Sequence, residues 1–262
     1  MKGIIELQIW QMIAAYVFVV VLLLVVRLKG IRREKEIFIA TIRMTLQLIL
    51  TGYVLVFLFE NPSPVLTILF LLVMEVFAVF NIFKRVKLEL STKLKQIIAL
   101  SMVIGTISCL LYFLLVVVRI SPWYDPQYFI PIAGMLIGNS MTGISLGVTR
   151  LVDGMQTQKD LVEGALMLGA TPKMASKRIV DNAFDSAILP SINSMVGMGI
   201  VFLPGMMTGQ ILSGVSPVTA IEYQIAIMLG IVGSVALTVI IFVHLGYKTF
   251  FNEQCQLITD QD

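Results

Sequence analysis

Seven stretches of this 262-residue chain run for 18 residues or more with almost no charge: 9–26, 37–59, 65–83, 97–118, 129–148, 188–212 and 221–247. A helix needs about 20 apolar residues to cross roughly 30 Å of hydrocarbon. Helix is the only open choice for such runs, because a sheet edge in lipid would leave backbone donors and acceptors unpaired. With 58% hydrophobic and 13% charged residues, the chain lies outside the range of soluble domains. The expected fold is all-α: a multi-pass protein of a cell membrane, with about seven transmembrane helices forming one domain over residues 1–262.

Basic residues then suggest an orientation. If the N-terminus is outside, sixteen of the nineteen Lys and Arg residues fall in the inward loops and tail, Lys2 and Arg119 lie outside, and Arg43 sits within the second stretch. That asymmetry predicts an N-out, C-in chain. The same clustering at helix ends accounts for the net charge of +3 without a nucleic-acid partner. The outer connections are short and rich in turn residues, as in Glu60-Asn61-Pro62-Ser63-Pro64. One long inward loop, 150–187, carries a helical pattern interrupted at Thr171-Pro172. It predicts one short helix before Gly169 and another beginning near Pro172.

Polar residues inside the apolar stretches are the candidates for function, since each is costly in lipid. Arg43 and Gln47 are one turn apart on the second stretch, and Arg43 is expected either to snorkel to the headgroups or to find a partner within the protein. Glu75 stands near the middle of the third stretch, with Asn81 nearer its inner end. A lone carboxylate at that depth must be paired or neutralised, so two readings stand: an ion pair with Arg43, or a ligand or proton site on a transport path. The fifth stretch reads PIAGMLIGNSMTGISLG, and its pairs Gly134/Gly138 and Gly143/Gly147 have the spacing that lets helices approach closely. Asn139 and Thr142 in the same stretch can hydrogen-bond across such a contact or line a path. Pro204 and Gly205 interrupt the sixth stretch and predict a kink or unwound turn, tolerated at membrane depth only against protein or a water-filled cavity. Met206 and Met207 follow; thioethers suit soft metals, although methionine at helical spacing is more often packing. Glu75 and Asn139 are the pair that could ligate a metal weakly.

Catalytic signatures are missing. No GxxxxGK[ST] or HExxH motif occurs, and His244 is the only histidine. The chain therefore reads as a non-enzyme whose energy comes from a partner or, alternatively, from an ion gradient as in a secondary transporter.

Four segments carry a resemblance: RMTLQLILTGYVL (43–55), PIAGMLIGNSM (131–141), LGATPKMAS (168–176) and LPGMMTGQILSGVSP (203–217) with the IEYQI that follows. In these the chain resembles the FetB-type permeases, membrane subunits of ABC transporters that include bacterial proteins assigned to iron export and plant proteins linked to aluminium tolerance. Glu163, Gly169, Ala170 and Thr171, followed by Pro172, also resemble the coupling loop of ABC importer permeases, where a glutamate and a glycine six residues on dock into the ATPase. Gly164 replaces the alanine expected in importers, and Ile188-Leu189-Pro190 lies too far downstream for their closing motif, so the likeness extends to docking and not to import. The resemblance implies a homodimeric permease that exports iron or a related metal or solute. A separate ATPase subunit would bind ATP and Mg²⁺, and this chain would carry no cofactor of its own.

Overall fold

Five helices of this chain begin where a proline removes, or a side-chain cap satisfies, one of the first backbone donors. In the computed structural model, which describes residues 8–86 and 90–258, the chain forms α1 (Ile9–Ala15), α2 (Val17–Leu28), α3 (Glu34–Glu60), α4 (Pro64–Arg85) and α5 (Thr92–Tyr112). Next come α6 (Pro126–Thr157), α7 (Lys159–Met167), α8 (Pro172–Ala175), α9 (Lys177–Gly197), α10 (Gly205–Leu212) and α11 (Pro217–Gly246). Lys2 and Lys87, both used in the charge count, lie outside the described residues. Proline opens α4, α6, α8 and α11, where its missing N–H costs nothing. Ser91 Oγ accepts from Leu94 N at 3.2 Å, and Asp125 Oδ1 accepts from Gln127 N at 3.0 Å, which cap α5 and α6. Beyond Tyr112, α5 continues as a π-helical segment, Phe113–Val118, that ends at Arg119 in the left-handed region (φ 55°).

Among the described residues, six helical stretches are long and apolar enough to cross a membrane: Ile9–Leu28, Glu34–Glu60, Pro64–Arg85, Thr92–Val118, Pro126–Thr157 and Pro217–Phe250. The sixth stretch expected from sequence, 188–212, is not one continuous helix. It is divided between the end of α9 and the short α10, with 198–204 between them. Gly199 there takes φ +83°, and Pro204 caps α10 from extended backbone. The loop expected at 150–187 is also much shorter, because α6 runs on to Thr157 and α9 already begins at Lys177. At 32 residues, α6 is about 48 Å long and overshoots the hydrocarbon.

The core forms around α6, which packs against α4, α5, α9 and α11. Leu136, Ile144, Val148 and Leu151 of α6 meet Val235, Val239 and Phe242 of α11, together with Ile98 and Met102 of α5. Small residues permit these approaches. A Cβ on Gly143 would lie 2.8 Å from Val235 and 3.3 Å from the Ala187 carbonyl, and one on Gly147 would lie 3.4 Å from Ala187. The expected partners behave differently, since Gly134 meets only Met74, at 3.3 Å, and Gly138 meets nothing within 4 Å. The tightest approach is one that GxxxG spacing did not flag: a Cβ on Gly105 of α5 would fall 2.7 Å from Thr238 Cα on α11. Ser140 and Ser234 hydroxyls hydrogen-bond at 2.9 Å between α6 and α11.

The pair formed by α2 and α3 stands apart. It is joined by the Tyr16 hydroxyl to Thr45 Oγ1 at 2.6 Å, and only 6% of each of its two spans is buried.

Candidate functional site

Three places in this frame hold the residues singled out by sequence: a buried carboxyl between α4 and α5, a polar stripe along α6 and α9, and the elbow between α7 and α8.

Glu75 is 3% exposed. Its Oε1 accepts from the Thr106 hydroxyl of α5, while the same hydroxyl also lies 2.7 Å from the Met102 carbonyl. One hydroxyl hydrogen thus faces two acceptors. Glu75 Oε2 has no hydrogen-bond partner among the described residues. The ion pair with Arg43, one of the two readings of Glu75, does not form. Arg43 instead lies with its guanidinium carbon 5.1 Å from the ring centroid of Phe77, a cation–π contact between α3 and α4. The reason is burial: Glu75 points into α5, while Arg43 reaches α4 only at Phe77. Gln47, one turn beyond Arg43, is exposed. Asn81 caps nothing beyond its own helix, donating to the Phe77 carbonyl at 2.7 Å.

Asn139 and Thr142 lie on the opposite kind of surface. Asn139 is exposed and donates to the Met135 carbonyl at 2.7 Å, and Thr142 Oγ1 donates to the Gly138 carbonyl at 3.1 Å. Helix α4 meets α6 at Gly134, against Met74. Five residues on, Asn139 is turned about 140° away from that contact. Glu75 and Asn139 therefore do not converge on one ligand, which separates the pair offered for metal binding. No cluster of three or more His, Cys, Asp or Glu side chains that could hold a metal ion exists among the described residues. The exposed stripe continues down α6 to a polar cleft of about 280 Å³ between the charged ends of α6 and α9, lined by Arg150, Asp153, Thr157, Asn182, Asp185 and Ser186. Sequence reading missed this cleft, although the i, i+3/i+4 recurrence of polar residues after Asn139 carries its signal.

The elbow is built by a complete helix stop and a complete helix start. Ala170 N donates to the Ala165 carbonyl at 3.0 Å and Gly169 N to the Leu166 carbonyl at 2.9 Å, the double bond of a Schellman motif, with Gly169 at φ +88°. Thr171 then caps α8, its Oγ1 accepting from Met174 N at 3.4 Å, and Pro172 occupies the first helical position. Glu163 forms an i, i+4 ion pair with Lys159 at 3.8 Å, partly exposed and worth no more than about 0.5 kcal/mol. The turn presents bare apolar side chains: Met167 is 86% and Leu168 91% exposed. A single residue, Ser176, separates α8 from α9, and α9 runs about 30 Å to the break at 198–204. Pro204 and Gly205 therefore stand at the opposite end of α9 from the elbow, with Met206 half-buried and Met207 buried where α10 meets α11.

Comparison with known proteins bears on this arrangement. Residues 9–251 match the model of the uncharacterised protein family UPF0014. The chain is 33% identical over 247 residues to the "Probable iron export permease protein FetB" of Escherichia coli K12, covering 94% of this chain and 93% of that protein. It is 35% identical over 246 residues to "Protein ALUMINUM SENSITIVE 3" of Arabidopsis thaliana, covering 94% and 88%. It is 38% identical over 224 residues to "UPF0014 membrane protein YjkA" of Bacillus subtilis, covering 86% and 88%. No solved structure matches. The match runs from α1 through α11, elbow and broken segment included, and this chain is a membrane protein of the UPF0014 family.

Proposed function

We propose that this chain is the membrane permease of an ABC transporter, moving iron or a related metal or solute outward, and that a separate ATPase subunit docks on the α7–α8 elbow. The observation that carries this reading is the elbow itself. Met167 and Leu168 are almost wholly bare at the end of the bundle where Lys159, Lys173, Lys177 and Arg178 gather, which fits a cytoplasmic face waiting for a partner. The reading takes the N-terminus as outside and the C-terminus as cytoplasmic. ATP and Mg²⁺ belong to the ATPase, and two copies of this chain make the permease. Iron enters from the name of the Escherichia coli relative.

Force has a short route from elbow to break. Closure of two ATPases would press on α7, and Ser176 hands that displacement to α9, a helix that ends at the 198–204 break. Glu163, Gly169, Ala170, Thr171 and Pro172 are the coupling residues in this scheme. A second reading, transport driven by an ion gradient, has one observation in its favour: Glu75, buried with Oε2 unpartnered among the described residues.

The test is co-purification with a soluble ATPase and metal-stimulated ATP hydrolysis in liposomes. Leu168→Asp should lower the stimulated rate tenfold or more without loss of folding, because that side chain packs on nothing in the protomer. Gly169→Arg should do the same, although its φ of +88° adds backbone strain. Unchanged hydrolysis in Leu168→Asp would exclude the elbow as the docking site. Transport in vesicles free of any ATPase would favour the gradient reading.

A further inference from the structure

At the elbow end of the bundle the start of α5 meets the end of α11: a Cβ on Gly246 would lie 3.5 Å from Leu94 Cδ1, and the turn Tyr247–Phe250 that follows α11 also touches α8. Beyond that turn the chain doubles back. Phe251 bridges to Leu257, Asn252 N donates to the Gln256 carbonyl at 2.9 Å, and Ile258 N donates to the Phe250 carbonyl at 2.8 Å. Between this folded-back tail and α5 lies a groove of about 490 Å³. Its α5 wall is Lys93, Gln96, Ile97 and Leu100, which share one face of the helix. Leu245, Phe251 and Ile258 supply apolar surface opposite, and Lys248 joins Lys93 in the lining.

Polarity changes along the groove in one direction. Lys93 lies in the first turn of α5 and Lys248 just past the end of α11, so both stand at the membrane surface, whereas Leu100 lies about 10 Å further along α5 toward the hydrocarbon. A single lysine at a helix end needs only water and headgroups. Here two lysines from distant parts of the chain share one apolar recess whose lining holds no Asp or Glu, and neither forms an ion pair among the described residues. The groove at the join of α2 and α3 differs, because Arg27 and Lys35 line it together with Glu34. Two cations without an acid call for an anion, and the apolar wall beside them calls for one that carries hydrocarbon; a soluble phosphate answers only the first.

The geometry points to a binding site for one anionic phospholipid, its phosphate held by Lys93 and Lys248 and an acyl chain laid along Ile97, Leu100 and Leu245. Thr249 Oγ1 already donates to the Gly246 carbonyl at 2.8 Å, so the donors left for the phosphate are the two ammonium groups and the Gln96 amide. The bound lipid ties the folded-back tail to the start of α5. The site requires neither transport nor an ATPase, only that this end of the bundle reach a membrane surface.

Tryptophan quenching in liposomes tests the site. The full chain carries Leu100→Trp in a background of Trp10→Phe and Trp123→Phe, which removes both native tryptophans. Leu100 is 49% exposed, so an indole there meets whatever fills the groove. At low salt, brominated phosphatidylglycerol in a phosphatidylcholine bilayer should quench it with an apparent affinity about fivefold or more above that of brominated phosphatidylcholine, and the preference should weaken as salt is raised. Lys93→Gln combined with Lys248→Gln should abolish the preference, Lys93→Arg with Lys248→Arg should keep most of it, and Lys35→Gln, in the α2–α3 groove, should leave it unchanged. Equal quenching by the two lipids would mean ordinary boundary lipid and overturn the site, as would a preference that survives the double glutamine variant. Protection by soluble glycerol phosphate would assign the lysines to a soluble anion and overturn the lipid. No quenching by either lipid would mean that protein covers the groove, which overturns it as well.

Discussion

The α2–α3 pair and the α6-centred bundle are built from the same membrane-spanning material and end up with opposite environments: 6% of each span is buried in the pair, against 56% in α6. Their sequences differ in the direction contrary to a soluble protein. Helix α2 reads VFVVVLLLVVRL, bulky and apolar on every side, and is left outside; α6 contains GMLIGNSMTGISLG, small and partly polar, and becomes the centre. Lipid tails are as apolar as leucine, so no hydrophobic force pulls α2 inward, whereas glycine and serine let α6 approach its neighbours closely enough for dispersion and hydrogen bonds to count. Composition is not the whole rule, since the apolar α11 is 44% buried. What α11 shares with α6 is small or hydroxylic contact points: Gly230 against Phe113, Ser234 against Ser140 and Thr238 against Gly105.

The strongest way to break this contrast is to enlarge a contact glycine. Gly105→Val should cost about 3 kcal/mol or more, lowering the melting midpoint in detergent steeply, because its Cβ would meet backbone of α11. Gly52→Val in α3, with nothing within 4 Å, is the matched control and should be neutral or slightly stabilising, because valine is a better helix former than glycine. Next in size is Thr106→Val, which removes the one hydrogen-bond partner of the Glu75 carboxyl among the described residues and should cost about 1–3 kcal/mol. Glu75→Gln keeps that contact and should stay within about 1 kcal/mol by the same melting assay; if it alone reduces transport, the carboxyl serves the path and not the fold. Arg43→Gln should cost about 1 kcal/mol or less, localised to the join between α3 and α4, and hydrogen exchange should rise in α2–α3 without changing in α6. Smallest of all, Phe18→Ala, at a side chain 82% exposed, should stay within about 0.5 kcal/mol. A large loss there would mean that a second copy, and not lipid, covers α2.

Much of the frame was legible. Hydropathy located every membrane helix to within a few residues at most ends, because lipid enforces length and helicity together. Thr171-Pro172 marked the start of α8, and Gly169 marked the stop of α7, since both signals are local backbone chemistry. The sixth stretch misled for an equally definite reason: averaging apolar residues over 188–212 ignores Gly197 and Gly199, which end α9 well before Pro204. Arg43 and Glu75 looked like a pair because opposite charges are scarce in membranes, yet pairing depends on which sides of α3 and α4 they occupy.

From the sequence alone came the solvent, the helices, their turns and the residues too polar to ignore, because each depends on properties local to one segment. Only the tertiary structure decided which face of each helix is covered. It buried Glu75 against Thr106, left Asn139 uncovered on the next helix, and joined the elbow to the break through α9. Those outcomes depend on rotations of whole helices about their axes, set by side-chain packing between segments far apart in the chain.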